Sequence, residues 1–182
     1  MRKLLILALS VMLYTGAQAQ LGSYYNGTAH YKSKGLSWGI KKPLGFTQKE
    51  ADRPNIVQKW VKGDVSVMTM VKRLPTEMQG FDKSDWVQYL KYEGGVQDFG
   101  GELGPSTYTV LDNYPGVKTT TVQTMQRLDK KITIHMIQYM VIVDDVAFML
   151  QIGAGSKASL DRQSRLIYQL ANSVIFYKQY GN

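Results

Sequence analysis

The sequence predicts an α+β fold, a mainly antiparallel sheet with helices packed on both of its faces. Three features of the chain point to it. Residues 107–152 are successive runs of strand character joined by tight acidic or glycine turns. Within them, Lys131–Val143 puts Ile132, Ile134, Met136, Met140 and Ile142 on one face and His135, Ile137, Tyr139, Val141 and Val143 on the other. A strand with bulk on both faces belongs in the middle of a sheet covered on both sides. Helical spacing flanks this block, in residues 82–93 and again from Ser159.

The chain opens on a segment outside that domain. Arg2 and Lys3 precede an apolar run, Leu4–Leu13, broken only by Ser10, and Ala17-Gln18-Ala19 supplies the small residues that signal peptidase accepts. Residues 1–19 therefore read as a signal peptide, which places the protein in the periplasm or outside the cell, with Gln20 as the mature start. The run falls far short of the roughly 20 apolar residues that cross a bilayer. No comparable run recurs, so no transmembrane span is expected after leader removal. The absence of cysteine excludes disulfide frameworks, thiolate nucleophiles, cysteine-zinc sites and lipoprotein anchoring together.

Residues 20–35 are rich in Gly, Ser, Tyr and Asn without a helical or strand period, and read as a flexible N-terminal arm. Residues 36–182 then form a single domain. Leu36–Lys41 is its first strand, closed by Pro43 and Gly45. Ile56–Lys62 and Val65–Lys72 follow as a hairpin through Gly63-Asp64. Asp82 caps the first helix, Asp85 suits its positive end, Trp86, Val87, Tyr89 and Leu90 form its apolar stripe, and Gly94-Gly95 stops it. Gly94, Gly95, Gly100, Gly101 and Gly104 with Pro105 read as a surface loop, because the Walker spacing and the dinucleotide fingerprint are both missing. Thr107–Asp112 is a strand, Asn113-Tyr114-Pro115-Gly116 a turn, and Val117–Leu128 a long strand. Asp129-Lys130 leads into Lys131–Val143, and Asp144-Asp145 into Val146–Ile152. Gly153–Ser156 is a flexible exit and Ser159 the expected N-cap of a helix in which Leu160, Leu166, Ile167, Leu170, Ala171 and Val174 recur at helical spacing. Asn172-Ser173 ends that helix, and Val174–Tyr177 continues as a short extended tail.

This order of elements resembles the PsbP-like superfamily, which holds the extrinsic photosystem II subunit and bacterial envelope relatives such as DcrB. The matching residues are Lys42-Pro43-Leu44-Gly45-Phe46 after a short strand and Asn113-Tyr114-Pro115-Gly116 before the long antiparallel strands. A final helix entered through Ser/Gly residues and ended at Asn172-Ser173-Val174-Ile175 completes the likeness, which covers about residues 36–177. The resemblance implies a three-layer α/β/α sandwich with a mainly antiparallel central sheet. It also implies a mostly non-enzymatic protein that works by binding larger assemblies. No photosystem-docking or metal-binding motif matches, so neither role carries over.

Charge is unevenly spread, and the whole chain carries +8. Residues 20–73 hold ten Lys/Arg against three acidic residues, whereas residues 74–116 hold two against seven. The basic N-terminal region points to an envelope protein or an anionic envelope component as partner, and an exported chain without a nucleic-acid motif makes nucleic acid a poor candidate. Lys32, Lys34, Lys41 and Lys42 with Tyr24, Tyr25, Tyr31 and Trp38 form the candidate contact area, since lysine beside aromatic rings suits anionic or extended partners.

Catalytic constellations are thin. His30 and His135 are the only histidines; His30 sits in the arm, and His135 shares a face with Ile137, Tyr139 and Val141, which favours a buried, hydrogen-bonded histidine. No zincin motif, nucleophile elbow or Ser-x-x-Lys spacing appears. No cofactor and no metal site is expected. The chain reads as an exported non-catalytic binding or accessory protein of the bacterial envelope. The alternative is a hydrolase or transferase with a site near His135, which a polar pocket holding His135 and a carboxylate would favour.

Overall fold

The computed structural model describes residues 21–31, 34–51, 53–74, 76, 80, 85, 87–88, 102–127 and 130–181. The expected leader lies outside these residues. So does the expected first helix, except for Asp85, Val87 and Gln88, which are helical.

β1 (Leu21–Tyr31), β2 (Lys34–Pro43), β3 (Thr47–Lys49), β4 (Ile56–Lys62) and β5 (Val65–Arg73) fill the first half. β6 (Glu102–Leu111), β7 (Tyr114–Arg127), β8 (Lys130–Val143) and β9 (Val146–Ala154) fill the second. Helices α1 (Lys157–Asp161) and α2 (Ser164–Asn172) follow, then β10 (Ile175–Phe176) and a 3-10 turn, Tyr177–Tyr180. The protein is thus a sheet-dominated α+β fold. Its seven-stranded sheet runs β3-β4-β5-β9-β8-β7-β6, and a second, three-stranded sheet runs β1-β2-β10. Every pairing is antiparallel.

The centre of the large sheet is β9, where all nine residues are buried, and not β8 as the bulk of Lys131–Val143 suggests. β8 is buried on both faces only in its second half, since Lys130, Lys131 and Ile132 are exposed. One face of β9 presents Phe148, Leu150 and Ile152 to a core shared with Leu36, Trp38 and Ile40 of β2 and with Leu166, Ile167 and Leu170 of α2. The other face carries Met149, which clusters with Met70, Met140, Val117 and Ile56. The covering over the first face is therefore the small sheet together with α2, rather than a helix layer alone. The physical reason is that β10 and β1 both pair with β2, so the chain's two ends build a second sheet there.

Local chemistry moved several boundaries. The turn before β7 is Asp112-Asn113, with φ of 45° and 65°, and Tyr114–Gly116 already belong to the strand. Asp144-Asp145 turns likewise, at 48° and 64°. Positive φ at both central residues matches the twist of antiparallel strands, and Asp and Asn tolerate it. Gly104 and Pro105 lie within β6 at a register shift between Leu103 and Ser106, not in a surface loop. Gly153 and Ala154 close β9 instead of forming a flexible exit. Ser156, not Ser159, caps α1: its Oγ accepts the Ser159 backbone N–H at 3.1 Å. Ser159 sits buried inside the helix, and its hydroxyl donates to Asp64 Oδ1 at 2.9 Å, tying α1 to the β4–β5 turn.

Candidate binding surface

The segment expected to be a flexible arm is β1, and this is the main correction to the sequence reading. Glycines conceal its strand character, yet Leu21–Tyr31 pairs with β2 through Tyr24↔Lys41, Gly27↔Trp38 and Tyr31↔Lys34. Gly27 is required there. A Cβ at this position would lie 2.4 Å from the Trp38 ring, so only glycine lets β1 cross that ring at this distance.

Strand alternation sorts the candidate residues. Trp38 is 0% exposed and packs edge-on against Phe148 at 5.3 Å between ring centroids. It belongs to the core and leaves the contact area; the alternation Leu36, Trp38, Ile40 is the signal that marks it. Tyr25 is half-buried and meets Trp60 edge-on at 5.7 Å. Tyr24 is 43% exposed, and Lys41 Nζ stands 5.5 Å from the centre of its ring. Lys42 is half-buried. The backbones of Tyr31 and Lys34 pair with each other, while their side chains and all of Lys32 lie outside the described residues.

The structure adds residues that sequence reasoning missed. Leu44 is 55% exposed, and its side chain lies over Gly22 of β1. Tyr177 donates its hydroxyl to Asn26 Oδ1 at 2.5 Å and lies against Gly39, where a Cβ would be 2.5 Å from the phenol oxygen. No periodicity links Tyr177 to β1, because the two are distant in the chain. The surface is held firmly from below: Lys41 N–H donates to Ser173 Oγ at 3.1 Å, and that hydroxyl donates to the Leu170 carbonyl at 2.8 Å. β2 is thereby anchored to the end of α2. The result is a fixed sheet face with cations and rings side by side, suited to electrostatic and ring-face contacts.

His135 is half-buried rather than buried, opposite Val122 and Ala154 in β8. Among the described residues no three His, Asp or Glu side chains converge into a metal-binding group. Asp144, one of the acidic turn residues, accepts a hydrogen bond from Lys178, and Asp145 Oδ1 accepts the Gly80 N–H at 3.2 Å. No helix among the described residues is long and apolar enough to cross a membrane.

No protein-family model and no curated protein matches the chain. Solved structures do. LpqN, involved in cell envelope biogenesis of Mycobacterium tuberculosis, is similar with a TM-score of 0.52 at 9% identity, over 85% of this chain and 92% of that one. Cyanobacterial PsbP (CyanoP) from Synechocystis sp. PCC 6803 matches with a TM-score of 0.48 at 13% identity, over 89% of this chain and 98% of that one. A Bacteroides thetaiotaomicron VPI-5482 protein matches at 0.46 and 6% identity, over 76% of this chain and 44% of that one. The chain is similar in fold to LpqN over most of both chains. At these identities the fold is what is shared.

Proposed function

We propose that this chain is an exported, non-catalytic binding or accessory protein of the bacterial cell envelope, and that the β1–β2 face is its contact surface. The observation that carries the reading is the exposed Tyr24 ring with Lys41 Nζ 5.5 Å from its centre, with exposed Leu44 over Gly22 of the same strand, on a backbone anchored through Ser173. The arrangement offers charge, a ring and an apolar rim on rigid strands. It contains no nucleophile–base pair, which suits binding and not turnover. The leader-like residues 1–19 and the similarity in fold to LpqN, a protein of envelope biogenesis, support the envelope as its place. The expected helix of residues 82–93, laid on the methionine-bearing face of the large sheet, would complete the three-layer α/β/α sandwich.

The test is crosslinked capture from the native envelope, comparing the protein with a variant in which Lys32, Lys34, Lys41 and Lys42 are all changed to Glu. Capture that weakens with salt and disappears in the variant is the expected result. Capture that is unchanged in the variant removes the β1–β2 face as the contact surface.

A further inference from the structure

The two sheets have four edge strands, β1, β10, β3 and β6. Exposed edges invite pairing with other chains, and proteins blunt them with short strands, charges, prolines or bulges. Three of the four are blunted in these ways. β10 is two residues long, and the chain leaves it at once for the Tyr177–Tyr180 turn. β3 is three residues long and includes Lys49. β6 carries Glu102, Pro105 and a register shift between Leu103 and Ser106. β1 differs. It has eleven residues with no Lys, Arg, Asp, Glu or Pro among them, and after a register shift between Leu21 and Tyr24 at its start its pairing with β2 runs unbroken to Tyr31. Among the described residues, no strand pairs with its outer side.

We infer that β1 is an open docking edge, and that its occupant is an extended acidic segment of a partner protein, added as a further antiparallel or parallel strand. Main-chain hydrogen bonds to β1 supply affinity in this mode, and side chains alternating along the added strand supply selectivity. Charge selects the occupant. Lys41 reaches from β2 onto the Tyr24 ring of β1, so its ammonium is carried toward the free edge. β1 and β2 together hold Lys34, Lys41 and Lys42 and no acidic residue. A second copy would bring the same basic region against itself, which the like charges oppose. The inference rests on the β1–β2 face being the contact surface and adds the manner of contact and the chemistry of the partner.

The probe is a peptide of roughly ten residues alternating threonine and glutamate, about the length that β1 can pair. Two further versions carry backbone N-methyl groups on the odd or on the even residues. Binding is read by fluorescence anisotropy, and amide hydrogen exchange is followed in β1. The parent peptide is expected to bind in a salt-sensitive way and to slow exchange in β1. One methylated version should bind at least about tenfold more weakly, because its modified amides face the edge, while the other retains affinity. Equal binding of both methylated versions, or no binding of the parent, overturns the inference. It does so without touching the functional reading, which stands or falls with the four-lysine variant in envelope capture. Sedimentation of the protein alone provides the remaining arm: self-association that protects β1 amides without peptide would make the occupant a second copy and overturn the acidic-partner assignment.

Discussion

Thr69 illustrates how far the core departs from an optimal one. Its side chain is 0% exposed, yet among the described residues Oγ1 has no hydrogen-bond partner. Gln58 Nε2, on the residue directly opposite in β4, is also without one. A buried hydroxyl without a partner carries its desolvation cost uncompensated, and an apolar group of similar shape removes that cost. Thr69→Val is therefore expected to raise stability by about 1 kcal/mol in urea unfolding; a loss of stability would show that the hydroxyl is satisfied in solution. Residue identity was a mixed guide here. The alternation through Leu36, Trp38 and Ile40 states that Trp38 points inward, and the tally of lysines and rings around it obscured this. Ser159 misled differently, since Ser156 lies three residues earlier and its hydroxyl reaches the free N–H first.

At the scale of elements, β1 and β2 depend on glycine for their spacing. Gly27→Ala would drive a methyl group into the Trp38 ring. The ring is fully buried against Phe148 and has nowhere to move, so overpacking of about 1–3 kcal/mol is expected. The loss should appear as a lower urea midpoint together with faster amide exchange in β1; unchanged exchange would mean that β1 does not sit over Trp38. The hairpins after residue 106 were legible because runs of strand character and the Asp or Asn at their turns act locally. Ile56–Lys62 was legible for the same reason, and its bounds coincide with β4. β1 was not legible, because its pairing depends on a close approach that only the folded partner reveals. The contact surface was legible in part: Tyr24 and Lys41 were found by composition, whereas Leu44 and Tyr177 reach it through tertiary contacts.

For the whole molecule, burial of Tyr139 gives stability an alkaline limit. Desolvation raises the Tyr139 pKa above its ordinary value of 10.0, and Tyr114 is raised for the same leading reason, with Asp144 adding to it. A raised phenol holds its proton in the folded state after the unfolded chain has lost it. Its contribution is therefore intact below pH 10 and is lost as pH climbs toward the folded value. Tyr139→Phe should flatten the fall in urea midpoint above about pH 10; an unaltered slope would place the effect elsewhere. The tail also joins the two sheets. Asp112, in the turn of the large sheet, accepts the Phe176 N–H at 2.5 Å and the Tyr180 hydroxyl at 2.6 Å, while β10 pairs with β2. A polypeptide leaving the ribosome emits Trp38 long before Phe176, so the nascent chain has no means of shutting this layer during most of its synthesis. Closure waits for β10, which leaves an interval in which a chaperone can hold the chain open.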